Sequence, residues 1–596
     1  MSGSSNSVDV LIVGAGPAGL MCAYNLSQAG FHVRIVDKKL ERLQKGQGDV
    51  IQVRGMEILA SLGLSSKILA EAQRCVHVAT YASCPTNSGY IVRTSRKSTI
   101  QDVESPFPFM GLYAQSSIEG IFRAAAASGE RRIPSATFSP QPTEAASKVE
   151  VEQGVHPIEL NVSEDRDEAY PVTVRLQRLD GQVESLRAKY LLGCEGAHSW
   201  TRTQIGINMV GETSDQVWGL VDGYIKTDFP DVRALTVVEN NGRRAVLIPR
   251  ENNMVRFTVQ VKDTDVTIDP ITGRVDRTKI QPEKIKQLVK EVFSPYQIEW
   301  TREPDWWGVY VIGQRLASRY QDKNDRVFII GDACHTHSPH AGQGMNAAMS
   351  DGHNLSWKLV HVLKGWAGPD LLRTYESERR GFAAQLIELH ERIAEIMSGK
   401  IKGNSADYLT KSNLFISGIG TIYSPSQIVD PINQALASGI VVGQRMPHQV
   451  IIRTADMRAY STLDLLTSDN LYKLIVFTGD VKDAVQRERL EKLGEVISQW
   501  PNGISSRFQL YTIMLAKNSK ESVDYTDVPT SLRPYWDTVF LDDESYAKLN
   551  GGGRAYQSLG VGSEGCVVLV RPDGHVGVLA PLDDAEGLRK FASLAA

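Results

Sequence analysis

One glycine-punctuated turn constrains this chain more than any other feature. Val8 to Val13 is an apolar strand broken only by Asp9, followed by Gly14-Ala-Gly16-Pro-Ala-Gly19, a helical stretch with Leu20, Ala23, Tyr24 and Ser27 on one face, a stop at Gly30 and a second strand ending at Asp37. This is the spacing of a complete βαβ unit. Gly14 makes the turn, Gly16 lets the backbone approach a pyrophosphate, Gly19 lets helix pack on strand, and Asp37 stands where a carboxylate can hold a ribose. Parallel strands joined by a crossover helix need a sheet covered on its faces, so the chain is expected to fold as an α/β protein. By itself the motif suits FAD and NAD equally.

A second stretch, Arg326 to Asn346, follows the same logic. Val327 to Ile330 has the composition of a buried strand, Gly331-Asp332 ends it, and Gly342 and Gly344 let backbone amides approach a ligand before a helix starts near Met345. A helix start there aims its positive end at an anion or an electron-rich ring. Asp332, just past the strand, can accept hydrogen bonds from sugar hydroxyls. An ordinary strand-turn-helix explains this stretch equally well when it is taken alone. Two further segments deliver polar groups to strand or helix ends: Gln115 at the start of a helix running through Phe122, and Leu191 to Arg202, where a strand runs into Cys194, Glu195 and Ser199.

The 596 residues, 42% hydrophobic and 22% charged, can bury several cores, and roughly three domains are expected. A net charge of −4 with no long basic run argues against nucleic acid as a partner and for small molecules. Met1 to Asp9 is polar without a basic start, and the apolar run after it is broken by glycines, so neither secretion nor membrane spanning is indicated. The six cysteines are scattered with no C-x-x-C pair, unlike a disulfide framework or a zinc site. A reducing, cytoplasmic setting and no metal site are expected.

Between the glycine stretches the chain is less explicit. Lys38 to Lys45 is basic, and Gly46-Gln47-Gly48-Asp49 sets an acid among glycines, for which a turn is the ordinary explanation, as a solvated face is for Lys45 and Arg54. Val172 to Leu192 reads as a strand pair turned at Asp180-Gly181, and residues 205–320 as alternating strand inserted between cofactor-binding segments. Helices are expected from about Asn354 to Lys364 and from Leu371 to Met397. After a Gly-, Ser-, Asn- and Pro-containing connector, a new unit starts near Gln444. It offers strands at Lys473 to Phe477 and Phe508 to Leu515, a helix between them, a hairpin turned at Pro572-Asp-Gly574, and a last helix.

Taken together, Gly14 to Gly19, Cys194 to Arg202 and Gly331 to Asn346 resemble the three flavin signatures of single-component (class A) aromatic hydroxylases. Gly46 to Asp49, Trp218 to Asp222, Phe229 to Arg233, Pro249 to Glu251, Val255 to Phe257 and Ile312 to Arg315 are similar to the fungal phenol 2-monooxygenase family. The resemblance covers nearly the whole chain. It implies a Rossmann-like FAD-binding domain of the p-hydroxybenzoate hydroxylase type from 1–204 and 321–400, with part of 75–110 joining a substrate-binding β-sheet domain at 205–320. A connector at 401–443 and a thioredoxin-like domain without redox cysteines at 444–596 would follow.

The same resemblance assigns FAD contacts to Gly14, Gly16, Gly19, Asp37, Lys38, Gln47, Arg54, Gln115, Glu195, Asp332, Gly342, Gln343, Gly344, Met345 and Asn346. It makes Asp49 the acid that deprotonates or orients a phenol, Arg256 the active-site arginine, and Thr258 and Arg250 substrate-pocket residues. Glu195 replaces the family's Asp, and Thr258 stands where phenol hydroxylase has a tyrosine, leaving room for a larger or more polar ring. The implied reaction is ortho-hydroxylation of a phenolic substrate with NADPH, or NADH, and O2 through a flavin C4a-hydroperoxide, in a homodimer. Decarboxylative hydroxylation of a hydroxybenzoate uses the same chemistry and stays open. A flavin halogenase is disfavoured because Asp305-Trp306-Trp307-Gly-Val-Tyr310 does not match the W-x-W-x-I-P tunnel motif, and a non-redox GDI-like binding protein because Gln115, Asp332 and the Gly342 to Asn346 loop are intact.

Overall fold

The computed structural model describes residues 6–594 except 88, 101, 133–144, 166, 263–264, 266–278, 338–341, 398–407, 409–410, 502–504 and 517–522, so part of the second glycine stretch lies outside the described residues. The first apolar run forms strand β1 (Ser7–Val13), followed by helix α1 (Pro17–Gln28) and strand β2 (Val33–Asp37), which pairs with β1 in parallel. Alternate residues of β1 enter two cores, Val10 and Ile12 against α1, Leu11 and Val13 on the opposite face. That is why the run is apolar without a break from Val10 to Val13. Helices α2 (Val53–Ser61) and α3 (Gln115–Ser128) follow, and then β3 (Val183–Gly193), parallel to β1 on its other side. The turn at Asp180-Gly181 pairs β3 with Val172–Arg178.

The chain then leaves this sheet for an inserted one. Its central strands are β4 (Met209–Gly223) and β5 (Val255–Val261), with helix α4 (Pro282–Val292) and strand β6 (Trp306–Ala317) completing the centre. This eight-stranded sheet also takes in His77–Ser83 and Ile91–Ser98 from the 75–110 region. Period-two alternation separates its faces. Val217, Val221, Phe257 and Val259 pack with Ile285, Leu288 and Val289 of α4. Leu220, Asp222, Arg256, Thr258, Trp306 and Tyr310 occupy the other face, because directly opposed residues of antiparallel strands share a side.

On its return the chain adds β7 (Val327–Ile329) in parallel beside β3, then helices α5 (Gly344–Leu363) and α6 (Arg373–Met397). α5 is one helix from Gly344, so the start expected near Met345 and the helix expected from about Asn354 belong to a single element. The polar residues that hide its continuity, Asn354 and Lys358, are buried against partners. The carboxyl-terminal unit holds β8 (Tyr472–Phe477), α7 (Ala484–Ser498), β9 (Phe508–Leu515), β10 (Cys566–Val570), β11 (Val576–Ala580) and α8 (Ala585–Leu594). β8 and β9 are parallel, while β10 and β11 are antiparallel to their neighbours, giving a thioredoxin-like order around β8. Cys566 is the unit's one cysteine and is buried. The unit reaches back before Gln444: Tyr423, Val429, Ala437, Ile440 and Val442 belong to its core, spaced too irregularly for periodicity to show them. No helix among the described residues is long and apolar enough to cross a membrane.

Candidate active site

The β1–α1 turn is built to receive an anion. Gly14 has φ +102°, and a Cβ there would run into the Cys194 backbone of the neighbouring signature. A Cβ on Gly16 or on Gly344 would meet nothing within 4 Å, so both glycines border open space. Gly16 is also the N-cap of α1 and provides no side-chain cap, leaving the helix's first N–H groups available. Asp37 accepts from Ala15 N at 2.8 Å and Lys39 N at 2.9 Å, which fixes its carboxylate at the end of β2 with lone pairs to spare for a ribose. Lys38 is exposed. Asp332 is solvent-accessible yet walled in by protein. That enclosure raises its pKa, with the charge of Asp351 adding and that of His335 opposing. Its carboxylate accepts no hydrogen bond from a described residue. The geometry therefore fits a dinucleotide whose phosphates sit at Gly16 and whose sugar hydroxyls reach Asp37 and Asp332.

The segment 46–52 threads between two helix starts. Gly48 N donates to Gln115 Oε1 at 3.1 Å, while Gln115 Nε2 donates to Glu119 at 2.9 Å. Asn346 Nδ2 donates to the carbonyls of Val50 and Gly342, both at 2.8 Å, and Asn346 Oδ1 accepts from Gln52 N at 2.9 Å. Gly342 (φ +61°) passes so close to Val50 that a Cβ would need the strand to move. Met345 is buried in the same core as α1.

Three of the residues expected at the flavin have protein partners. Arg54 spends its guanidinium on Glu57 at 3.1 Å and on the Asp573 carbonyl at 2.6 Å, facing the carboxyl-terminal unit. Gln343 donates its side-chain amide to the Ile416 carbonyl. Glu195 accepts from Ser199 Oγ at 2.8 Å and from Thr201 N and Oγ1 at 2.9 and 2.6 Å, capping the short helix Trp200–Gln204. Gln47 has an exposed side chain and contributes through its carbonyl, which accepts from Arg256.

Opposite this segment, the inserted sheet carries a buried charge cluster. Arg256 holds Asp222 in a two-pronged pair at 2.6 and 2.7 Å, as expected for residues directly opposed in the β4–β5 register, and reaches Asp49 Oδ2 at 3.1 Å. Arg250 pairs with Glu251 at 3.0 and 3.1 Å and lies 3.5 Å from Asp49 Oδ2 and 3.6 Å from Asp222. Burial opposes the charge on Arg256, but Asp49 and Asp222 more than compensate and raise its pKa. Asp49 Oδ1 accepts from no described residue. Tyr310 borders the cluster; burial raises its pKa, Arg256 opposing and Asp49 adding, so its hydroxyl stays protonated at neutral pH. Trp306 lies under the Arg256 guanidinium at 5.3 Å and fills the space that a Cβ on Gly46 or Gly308 would need. Thr258 is buried on this face between Leu220 and Val246.

Sequence reasoning gave no role to Asp222, although an acid closing the alternating run Val217 to Asp222 is a signal once the register is known. It also passed over Asp351. That fully buried carboxylate accepts from Gly331 N at 3.2 Å, His335 at 2.8 Å and Arg379 at 2.6 Å, and so holds the turn that presents Asp332. Arg202 ties the same turn to the middle signature through the Ala333 carbonyl at 3.1 Å.

Residues 7–390 match the family described as FAD binding domain, and residues 421–595 the phenol hydroxylase C-terminal dimerisation domain. A phenol 2-monooxygenase (fsqG) of Aspergillus fumigatus is 33% identical, covering 99% of this chain and 97% of its own. A 3-hydroxybenzoate 4-monooxygenase of Comamonas testosteroni is 32% identical over 98% of this chain and 94% of its own. The crystal structure of the flavin-dependent monooxygenase PieE in complex with FAD and substrate shares the fold, with a TM-score of 0.70 over 99% of both chains at 20% identity. With both family models matched over nearly the whole chain, the chain belongs to the FAD-dependent aromatic monooxygenases of the phenol hydroxylase family.

Proposed function

We propose that this enzyme hydroxylates an uncharged phenolic ring at the ortho position, using NADPH, or alternatively NADH, and O2, and that it works as a homodimer. The observation that carries the substrate class is the charge balance in the pocket: among the described residues, Asp49, Asp222 and Glu251 pair with Arg250 and Arg256 alone, and both guanidiniums are already committed. A substrate carboxylate would enter without a free cation, and burying an unpaired charge is costly. The relatives' names divide between a phenol and a hydroxybenzoate, and this balance favours the phenol.

Bound and reduced FAD supplies activated oxygen to an electron-rich ring. The protein's part is to make the ring electron-rich and to keep the site dry. Asp49 Oδ1, the oxygen not engaged by arginine, accepts the phenol O–H and takes up its proton as the ring is attacked. Arg256 and Arg250 hold Asp49 in place through Oδ2 and offset the phenolate charge. Neutral Tyr310 is placed to donate a hydrogen bond, Trp306 walls the pocket, and Thr258 leaves space for a ring larger than phenol. The uncapped start of α5 favours negative charge on the flavin.

The test is turnover with matched pairs of phenols and their carboxylated counterparts, quantifying product and CO2. kcat/KM for the uncharged member should exceed that of the acid by about 100-fold or more. Preference for the hydroxybenzoate with release of CO2 would overturn the reading.

A further inference from the structure

We infer that α2 is a clamp through which the carboxyl-terminal unit positions the segment carrying Asp49. The helix has two unlike faces. Met56, Ile58 and Leu59 are buried in the dinucleotide-binding core. Arg54, Glu57 and Ser61, spaced three and four residues apart and therefore on one side, are taken up by the carboxyl-terminal unit along the whole helix. Arg54 Nη2 donates to the Asp573 carbonyl at 2.6 Å, Glu57 pairs with Arg445 at 3.4 Å, and Ser61 Oγ meets Ser468 Oγ at 2.7 Å while its carbonyl accepts from Ser468 N at 3.1 Å.

The receiving turn is itself immobilised. Arg571 pairs with Asp573 at 2.6 and 3.1 Å and with Glu378 of α6 at 2.6 and 3.0 Å, all three buried. At the same, amino-terminal end α2 joins the site directly. Gln52 N is held by Asn346, which also holds Val50, and the Asp49 carbonyl accepts from Tyr113 N at 2.8 Å.

Packing apolar surfaces together would suffice to join two domains. Hydrogen bonds and an ion pair at fixed points along one helix do something else: they specify its rotation and axial position, because hydrogen bonds weaken steeply with misalignment. A unit described as a dimerisation domain thus contributes to the geometry of the acid. That Asp49 acts on the substrate rests on the function proposed above; the clamp does not.

The experiment measures hydrogen exchange of full-length protein, FAD-loaded and FAD-free, for wild type, Arg54→Met, Arg54→Lys and Ser468→Ala. Arg54→Met should lower protection of the 50–56 amides about tenfold in both forms, with the rest of the dinucleotide-binding unit unchanged, and Ser468→Ala should do so more weakly. Arg54→Lys should restore part of it. FAD content should hold while product formed per NADPH consumed falls at least about threefold, a loss of coupling without loss of cofactor. Unchanged exchange at 50–56, or loss of protection spread evenly over the unit, would overturn the clamp. If Arg54→Met does not fold, unchanged local exchange in Ser468→Ala overturns it alone. Should wild type hydroxylate no phenol, the proposed function fails while the exchange data still decide the clamp.

Discussion

Two buried charge clusters flank the ends of the 46–61 segment, and they differ in balance and in access to solvent. The pocket cluster sets three carboxylates against two guanidiniums and leaves Asp49 Oδ1 without a described partner beside half-exposed Tyr310 and Trp306. The cluster beneath α5 and α6 sets Glu378 and Asp573 against Lys358 and Arg571 and is closed to water. An unbalanced cluster edged by half-exposed side chains retains an acceptor for a ligand's proton. A balanced, sealed one has nothing left to offer a ligand and serves to fix two domains in register.

The sharpest way to break this contrast is to neutralise the acid of the open cluster. Asp49→Asn should cut coupled hydroxylation about 10²–10⁴-fold with FAD still bound, the range general acid–base groups typically contribute. NADPH oxidation should continue with release of hydrogen peroxide. Raising the pH should partly rescue the variant, since more substrate then arrives as phenolate. Product per NADPH consumed, measured across pH on an accepted phenol, is the readout. Unchanged coupling at neutral pH would remove Asp49 from the mechanism and leave phenolate stabilisation by Arg256 as the contribution to test.

The two clusters were also unequally legible. The βαβ unit could be read from Gly14, Gly16, Gly19 and Asp37 because every determinant lies within one local spacing. Asp49 and Arg256 were found only by resemblance, since an acid beside glycine and an arginine in a strand each have a commoner explanation. The sealed cluster left no trace in the sequence reading. Lys358 and Glu378 sit on two helices, Arg571 and Asp573 on a hairpin far along the chain, and only the fold makes them neighbours. The Arg54 partner was hidden for the same reason, since it is a backbone carbonyl of the carboxyl-terminal unit, more than five hundred residues along the chain.

Removing one cation from the sealed cluster should cost stability where Asp49→Asn costs turnover. Arg571→Met leaves Glu378 and Asp573 facing Lys358 alone, and breaking a buried pair by deleting one partner costs about 3–5 kcal/mol. The unfolding midpoint of the holoenzyme should drop, and the carboxyl-terminal unit should become the first region cut in limited proteolysis. A wild-type midpoint would mean that water reaches these groups and that the contrast between the clusters is false.

The smallest expected effect is also the most specific to a sealed site, because it comes from titration. Burial works against charge on Glu378, but Arg571 and Lys358 prevail and bring its pKa from 4.5 to about 2. The folded state then keeps the carboxylate charged where the unfolded chain takes up a proton. Its stabilising contribution is whole above pH 4.5 and is lost as pH falls toward 2. At Lys358 burial wins over the attraction of Glu378 and lowers the pKa from 10.5 to about 8. Here the folded state penalises the charged form, so the penalty is present in full below pH 8 and is relieved as pH climbs from 8 toward 10.5. The wild-type unfolding midpoint should therefore fall through the acid window and gain a few degrees across the alkaline one, at about 2–4 °C per kcal/mol for a unit of this size. Lys358→Met, which keeps the stem and removes the titrating group, should flatten the alkaline gain and leave a smaller acid loss, since Arg571 then holds Glu378 without Lys358. An alkaline rise equally steep in the variant would place its origin at another group and show that water, rather than the closed packing of α5 on the carboxyl-terminal unit, governs Lys358.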